Sequence, residues 1–324
     1  MRLRTIGLIS TVALGLLVAA ISAEAQKAGK VYRIGFLSDG PRMRPNFEVF
    51  RQGLRELGYI EGQNIVIEWR LAGRKPDRLA EMAADLVRQK VDVIVACCPL
   101  APGVALKATR TIPIVDLLGA HRYVANLRRP GGNLTGLTTM ASDLVGKQLQ
   151  LFKEAVPSLS RVAVLGVADH PSYTRTVQQA ERAARALGLQ LINIGVRSPA
   201  EFPGAFRQMV AEGVDGVLIQ RAGLLIRNRA RTAELAGEAA LPTMYGHARE
   251  AREESALMSY GTNVSTLFRR GATFVDKILK GADPGVVPVE RPTKFDLVIN
   301  LKTAKQLGIT IPPNILYQAT EVIK

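Results

Sequence analysis

The chain has 324 residues, 47% of them hydrophobic and 22% charged, with two adjacent cysteines. That composition sets aside disordered and low-complexity classes, a disulfide scaffold and a four-cysteine zinc site, and the length gives a prior of about two domains at ~150 residues each. The formal charge of +15 comes from 43 Lys and Arg against 28 Asp and Glu, spread over every segment without a long basic run, and only 5% of residues are aromatic. No nucleic-acid partner is therefore expected, and the excess reads as a solvated basic surface.

Arg2 and Arg4 precede a mostly apolar stretch from Ile6 to Ile21, and Ala23-Glu24-Ala25 supplies a small-x-small cleavage signal. The stretch is shorter than the ~20 residues a membrane-spanning helix needs. Residues 1–25 are thus expected to be a cleaved secretory signal peptide and the mature chain periplasmic; an uncleaved anchor is the other reading. Val31 to Leu37 is then an apolar strand. Phe47, Phe50, Leu54 and Leu57 follow at helical spacing, with Gly58 as a left-handed stop. Asn64–Trp69 forms a second strand, 77–89 a helix burying Leu79, Met82, Ala83 and Leu86, and Val91–Val95 a third strand.

The same plan recurs. Arg161–Leu165 is a strand, and Val177, Ala180, Ala184 and Leu187 mark a helix stopped by Gly188. Gln190–Ile194 is a second strand. Ser198-Pro199-Ala200-Glu201 is a capping box opening a helix through Phe206, Met209 and Val210. Val214–Ile219 is a third strand, and a Val-Asp pair precedes the apolar run at both 91–92 and 214–215. Apolar strands alternating with amphipathic helices predict an α/β fold: two doubly wound parallel-sheet, Rossmann-like lobes joined by a multi-strand hinge. The turn-rich Arg128–Asn133, the strand-to-helix step from Leu257–Thr262 into 267–280, and the Pro288–Pro292 stretch mark the crossings. They give lobe 1 as 26–137 plus 262–288 and lobe 2 as 138–261 plus 289–324. A strand follows at Phe295–Asn300, with a small helix at 303–307. Strand carboxyl ends of the two lobes would then face each other across a cleft.

No Gly-x-Gly-x-x-Gly turn, Walker loop, Gly-x-Ser-x-Gly elbow or His-Glu-x-x-His motif is present, so no cofactor and no metal are expected. A disulfide between the neighbours Cys97 and Cys98 needs a strained eight-membered ring, so the pair is expected as free thiols lining a tight loop.

Several stretches resemble one family. They are Arg33–Ser38, Phe50–Tyr59 (FRQGLRELGY), Glu61–Ile65, Arg129–Gly136 (RPGGNLTG), Tyr245-Gly246, Met258–Gly261 and Phe295–Ala304. In order and content they are similar to the substrate-binding proteins of bacterial ABC transporters related to the tryptophan/tyrosine-binding type. The likeness covers essentially all of 31–311. It implies a periplasmic-binding protein type 1 fold with three hinge segments. It also implies capture of a small ligand, an amino acid or related organic molecule, for delivery to an ABC permease with a cytoplasmic ATPase; a monomer is expected. The chain departs from the family pattern at three cleft-facing loops: Cys97-Cys98-Pro99, Gly119-Ala120-His121-Arg122 and Ala168-Asp169-His170-Pro171.

Position at strand ends nominates Ser38, Asp39, Cys97, Cys98, Gly119 and His121 from the first lobe, and Asp169, His170, Gln220, Tyr245 and His247 from the second. Tyr245 could stack on a ligand, and Asp39 or Asp169 could pair a ligand ammonium. Each could equally be an ordinary loop residue. Two other classes stay open at this point: a clamp reporting to a membrane receptor, and an exported enzyme using Asp39, Asp116 or Glu250 as acid or base.

Overall fold

The computed structural model describes residues 30–40, 44–73, 75, 77–170, 172–253 and 256–324. The signal-peptide segment lies outside the described residues. The chain begins with β1 (Tyr32–Ser38), α1 (Arg44–Glu56), β2 (Ile65–Leu71), α2 (Arg78–Arg88), β3 (Val93–Cys97), α3 (Ala101–Ala108), β4 (Ile114–Asp116) and β5 (Leu134–Gly136). These five strands pair in parallel in the order β2-β1-β3-β4-β5.

A second run gives α4 (Val145–Ala155), β6 (Arg161–Val167), α5 (Tyr173–Leu187), β7 (Gln190–Val196), α6 (Phe202–Ala211), β8 (Gly216–Ile219), α7 (Gly223–Arg227), α8 (Arg229–Glu238) and β9 (Thr243–Tyr245). Then come α9 (Ala248–Glu253), β10 (Met258–Thr262), α10 (Val264–Leu279), β11 (Phe295–Asn300), α11 (Leu301–Gln306), α12 (Pro313–Gln318) and β12 (Glu321–Ile323). The second sheet runs β12-β11-β10-β9-β8-β6-β7. Its first five strands in chain order reproduce the first sheet's order, so both sheets reverse strand direction of travel beside their first strand. Such a switch point opens a crevice at the strand carboxyl ends.

Helices cover both faces of each sheet, as the continuous apolar strands require. In β1, Ile34 and Phe36 face α1 and α10, while Leu37 faces α2 and α3. Phe47, Phe50 and Leu54 of α1 pack with Phe268 and Phe274 of α10, all at most 3% exposed. Each such side chain is worth about 1.5–3 kcal/mol when removed from water. Around the second sheet, α4 and α5 cover one face with Leu149, Phe152 and Ala180. On the other, α6 and α8 supply Phe202, Phe206, Met209 and Leu235.

Both predicted helix stops hold: Gly58 and Gly188 take φ of +85° and +65°. The recurring Val-Asp has one structural use. Asp92 accepts the Arg33 N–H at 2.8 Å, and Asp215 accepts those of Ser160 (2.8 Å) and Arg161 (2.9 Å). Each aspartate opens the third strand of its unit and ties down the start of the first.

Several expectations need correction. The second sheet is not wholly parallel: β11 runs antiparallel to β10, because the chain leaves through α10 to the first sheet and returns from the opposite end. Leu57 falls after α1 and is 38% exposed, and Val210 faces outward at 55%. In the capping box, Glu201 receives the Arg197 N–H (3.0 Å) and the Ser198 hydroxyl (3.2 Å), and a short 3-10 turn at 199–201 precedes α6. Cys97 is not in a loop but closes β3, which begins two residues later than expected. Val289 is buried in the core of the first sheet, and Glu290 forms a bridge with Leu137.

Three segments join the sheets, and they are hydrogen-bonded to one another. Thr138 N–H donates to the Glu290 carbonyl (3.1 Å), the Thr262 hydroxyl to the Thr139 carbonyl (2.8 Å), and Asn263 N–H to the Lys294 carbonyl (3.1 Å). Adjacent short connectors of this kind concentrate backbone rotation in a few residues while each core stays intact.

Candidate functional site

The candidate residues stand at the strand carboxyl ends beside each sheet's switch point. On the first sheet, Ser38 ends β1 and Cys98 follows β3. The Ser38 hydroxyl accepts the Gly40 N–H at 3.2 Å and lies 3.6 Å from the Cys98 sulfur. Cys98 has φ of +77°, a left-handed conformation costly for a side chain with a Cβ. Its sulfur sits 3.2 Å from that of Cys97, and both thiols are free. Cys97 is fully buried among core side chains, so it lies behind the wall, not on it. The hydrogen bond to Cys98 and burial push the Cys97 thiol up, while the same bond lowers Cys98.

Asp39 has a structural duty. Its Oδ1 receives the Leu100 and Ala101 N–H groups, both at 3.3 Å, at the start of α3. Burial raises its carboxyl above the ordinary range, against the pull of those donors. Asp116, at the end of β4, is fully buried. Its Oδ1 accepts from Leu118 (2.9 Å) and Gly119 (3.0 Å), and burial pushes its pKa up to about 6. Gly119 leads into a 3-10 turn carrying His121, whose Nδ1 is 2.6 Å from the Thr138 hydroxyl. Burial lowers the His121 pKa, helped by Arg122 and Arg175.

On the second sheet, Gln220 follows β8. Its Oε1 accepts the Val167 N–H at 2.9 Å and its Nε2 donates to the Ser172 hydroxyl at 3.1 Å. Ser172 in turn lies 2.8 Å from His170 Nδ1 and donates its N–H to the same atom at 3.2 Å. That atom is therefore an acceptor, and His170 carries its proton on Nε2. Burial lowers the His170 pKa, with Arg122 adding to the effect. Gln220 thus fixes the loop after β6. Asp169 points outward, its side chain 72% exposed, and pairs with Arg197 at 3.1 Å. Tyr245, 5% exposed, ends β9 and packs into the core. His247 stands in the turn before α9.

A shallow space open to solvent lies at the β6/β8 switch point. Ala141, Ser142, Val145, Gln148, Ser172, Thr176, Leu218, Ile219, Gln220, Arg221 and Gly246 line it. A smaller neighbour adds Leu225, Ile226 and Tyr245. Of the residues nominated from sequence, Gln220 and Tyr245 reach these walls; Arg221, Gln148 and Ser142 were missed. The fields of two arginines cross from sheet to sheet. Arg221, after β8, favours the Cys98 thiolate, and Arg122, on the first sheet's side, opposes protonation of His170. Among the described residues no group of three or more His, Cys, Asp or Glu is placed to hold a metal ion.

Two mostly parallel α/β units, repeating one strand order and joined by three short connectors, define the class of bilobed solute-binding proteins. The chain belongs to the ABC transporter substrate binding protein family, whose model matches residues 34–323. It is a substrate-binding protein of the type 1 periplasmic fold, and it captures a ligand for transport. The family is one of extracytoplasmic binding proteins, not of enzymes. Among the described residues no helix is long and apolar enough to cross a membrane. A tyrosine-binding protein of Clostridioides difficile is 23% identical over 288 residues, covering 87% of this chain and 82% of that protein. The crystal structure of a conserved domain protein from Vibrio cholerae superposes with a TM-score of 0.79 at 26% identity, covering 90% of this chain and all of that one. A Streptococcus pneumonia ABC domain in complex with L-Trp also gives 0.79, at 24% identity, covering 90% and 99%.

Proposed function

We propose that this chain binds a small organic solute between two lobes, 26–137 with 262–288 and 138–261 with 289–324, and hands it to an ABC permease driven by a cytoplasmic ATPase. Residues 1–25 export it to the periplasm, where it works as a monomer and changes nothing covalently. The observation that carries the reading is the pair of equivalent switch points, one in each sheet, with the three connecting segments hydrogen-bonded side by side. The family match and the amino-acid-binding relatives support a solute of amino-acid size.

The test is mass spectrometry on solute released by denaturing the exported protein, followed by thermal unfolding of ligand-free protein with that solute added back. Binding to the native state alone stabilises it by about 2.7 kcal/mol at a hundredfold excess over Kd. A rising Tm with an unchanged solute is expected. No co-purifying solute and no shift with any periplasmic extract would sink the proposal, as would chemical conversion of the solute.

A further inference from the structure

We propose that Cys97 and Cys98 form a dithiol redox site at the carboxyl end of β3, where Cys98 attacks a low-molecular-weight disulfide and Cys97 then closes a reversible bond to it. Successive side chains of a strand point to opposite faces, so neighbouring cysteines ordinarily hold their sulfurs apart. Here Cys97 is the last residue of β3, Cys98 takes φ of +77°, and the two sulfurs come within 3.2 Å. Shortening that contact to a bond of ~2.05 Å moves each sulfur by roughly 0.6 Å. A left-handed backbone is costly for a residue with a Cβ. The turn that brings the sulfurs together is nevertheless already made in the reduced protein, so ring closure does not have to supply it.

The two thiols are unlike, as an attacking and a resolving thiol must be. Cys97 is fully buried, and the hydrogen bond to Cys98 and burial keep it protonated. Cys98 is partly exposed. The same hydrogen bond, the Ser38 hydroxyl at 3.6 Å and the field of Arg221 favour its thiolate, against burial and the charge of Asp39. The thiolate is the nucleophile. Gly40 leaves room beside it, since a Cβ there would stand 3.2 Å from the Cys98 sulfur. The Cys98 thiolate attacks one sulfur of RSSR, forming a mixed disulfide and releasing RS−, which takes up the proton that Cys98 gave to solvent. The Cys97 sulfur then attacks the Cys98 sulfur, and the Cys97 proton leaves with the second RS group as RSH. Two protein thiols are oxidised by two electrons, and RSSR is reduced to two RSH. The eight-membered ring is strained, so excess thiol reopens it. Exported proteins meet such oxidants, a setting that rests on the export proposed above.

The experiment treats the reduced exported protein with excess oxidised glutathione, quenches in acid, denatures, alkylates with N-ethylmaleimide and reads the intact mass. The chain has two cysteines, so a monomer that has lost both thiols without adding glutathione holds the 97–98 bond. The expected product is two hydrogens lighter than the reduced protein and takes no maleimide; excess reduced glutathione should restore two maleimide sites. Cys97→Ser should stop at a mixed disulfide carrying one glutathione. Cys98→Ser should stay unmodified while folded, because its remaining thiol is buried. Wild-type protein that does not react, that keeps one glutathione beside a free Cys97, or that links into a dimer overturns the proposal, as does a folded Cys98→Ser that reacts as fast as Cys97→Ser. Thermal unfolding with the released solute, run on the same reduced sample, separates this site from the transport reading. Solute binding without ring closure removes the redox site alone. Ring closure in a protein that binds no solute supports the redox site and counts against the transport reading.

Discussion

Asp116 gives the account its sharpest stability test. It ends β4 with its side chain fully buried; two backbone N–H groups reach Oδ1, and Oδ2 has no hydrogen-bond partner among the described residues. Burial pushes its pKa to about 6, against about 3.9 for an exposed aspartate. The native state therefore holds this proton more tightly than the unfolded chain does. The contribution is most favourable below about pH 4, falls as pH rises through the interval to about 6, and is constant above. A shift of roughly two units at 1.36 kcal/mol each corresponds to about 3 kcal/mol. Asp116→Asn keeps an acceptor for Leu118 and Gly119 and cannot ionise. Urea unfolding of both proteins in steps from pH 4 to pH 7.5 isolates the group, because sites not coupled to it cancel in the difference. The stability of Asp116→Asn relative to wild type should climb by about 3 kcal/mol over that range. A difference that stays flat, or falls with pH, refutes the reasoning.

Three further outcomes follow from single contacts. Cys98→Gly should leave stability unchanged or raise it by up to about 1 kcal/mol in urea melts, since glycine adopts the φ of +77° without strain; a loss above that would show that the thiol matters to the fold. Asp215→Ala removes acceptors for Ser160 N–H, the Ser160 hydroxyl (2.7 Å) and Arg161 N–H, and should cost about 2–3 kcal/mol in the same assay; wild-type stability would mean the recurring aspartate is ornamental. In Gly261→Ala the new Cβ would stand 2.0 Å from the Gly246 carbonyl oxygen, so β9 and β10 must separate. Several kcal/mol of destabilisation, seen as a collapsed urea midpoint, is expected, and a stable variant contradicts the packing of these strands.

The architecture was legible because it is written in local patterns: spacings of three and four on one face, glycine after a helix, an apolar run of strand length. The weaker elements were not. β4 has three residues behind Pro113, and β9 has three ahead of Gly246, too short for any periodicity. The antiparallel β11 looks like any buried strand, since its direction depends on where α10 sends the chain. Site residues were legible by position only. Asp39 and Asp169 had the right chemistry for a ligand ammonium, but their partners lie 61 residues away at Leu100 and across the lobe surface at Arg197, contacts no local pattern reveals. Gln220 was found because it ends an apolar strand. Arg221, the next residue, lines both spaces, and the signal that could have found it was the same strand end extended by one position. Cys97 was misplaced by two residues of strand register, enough to move a thiol from the wall to the core.

Small-angle scattering of the ligand-free and solute-saturated protein tests the central claim of two lobes closing about three adjoining connectors. The radius of gyration should fall on saturation while circular dichroism stays constant, because closure moves intact lobes. A solute bound with high affinity and an unchanged radius of gyration would contradict it.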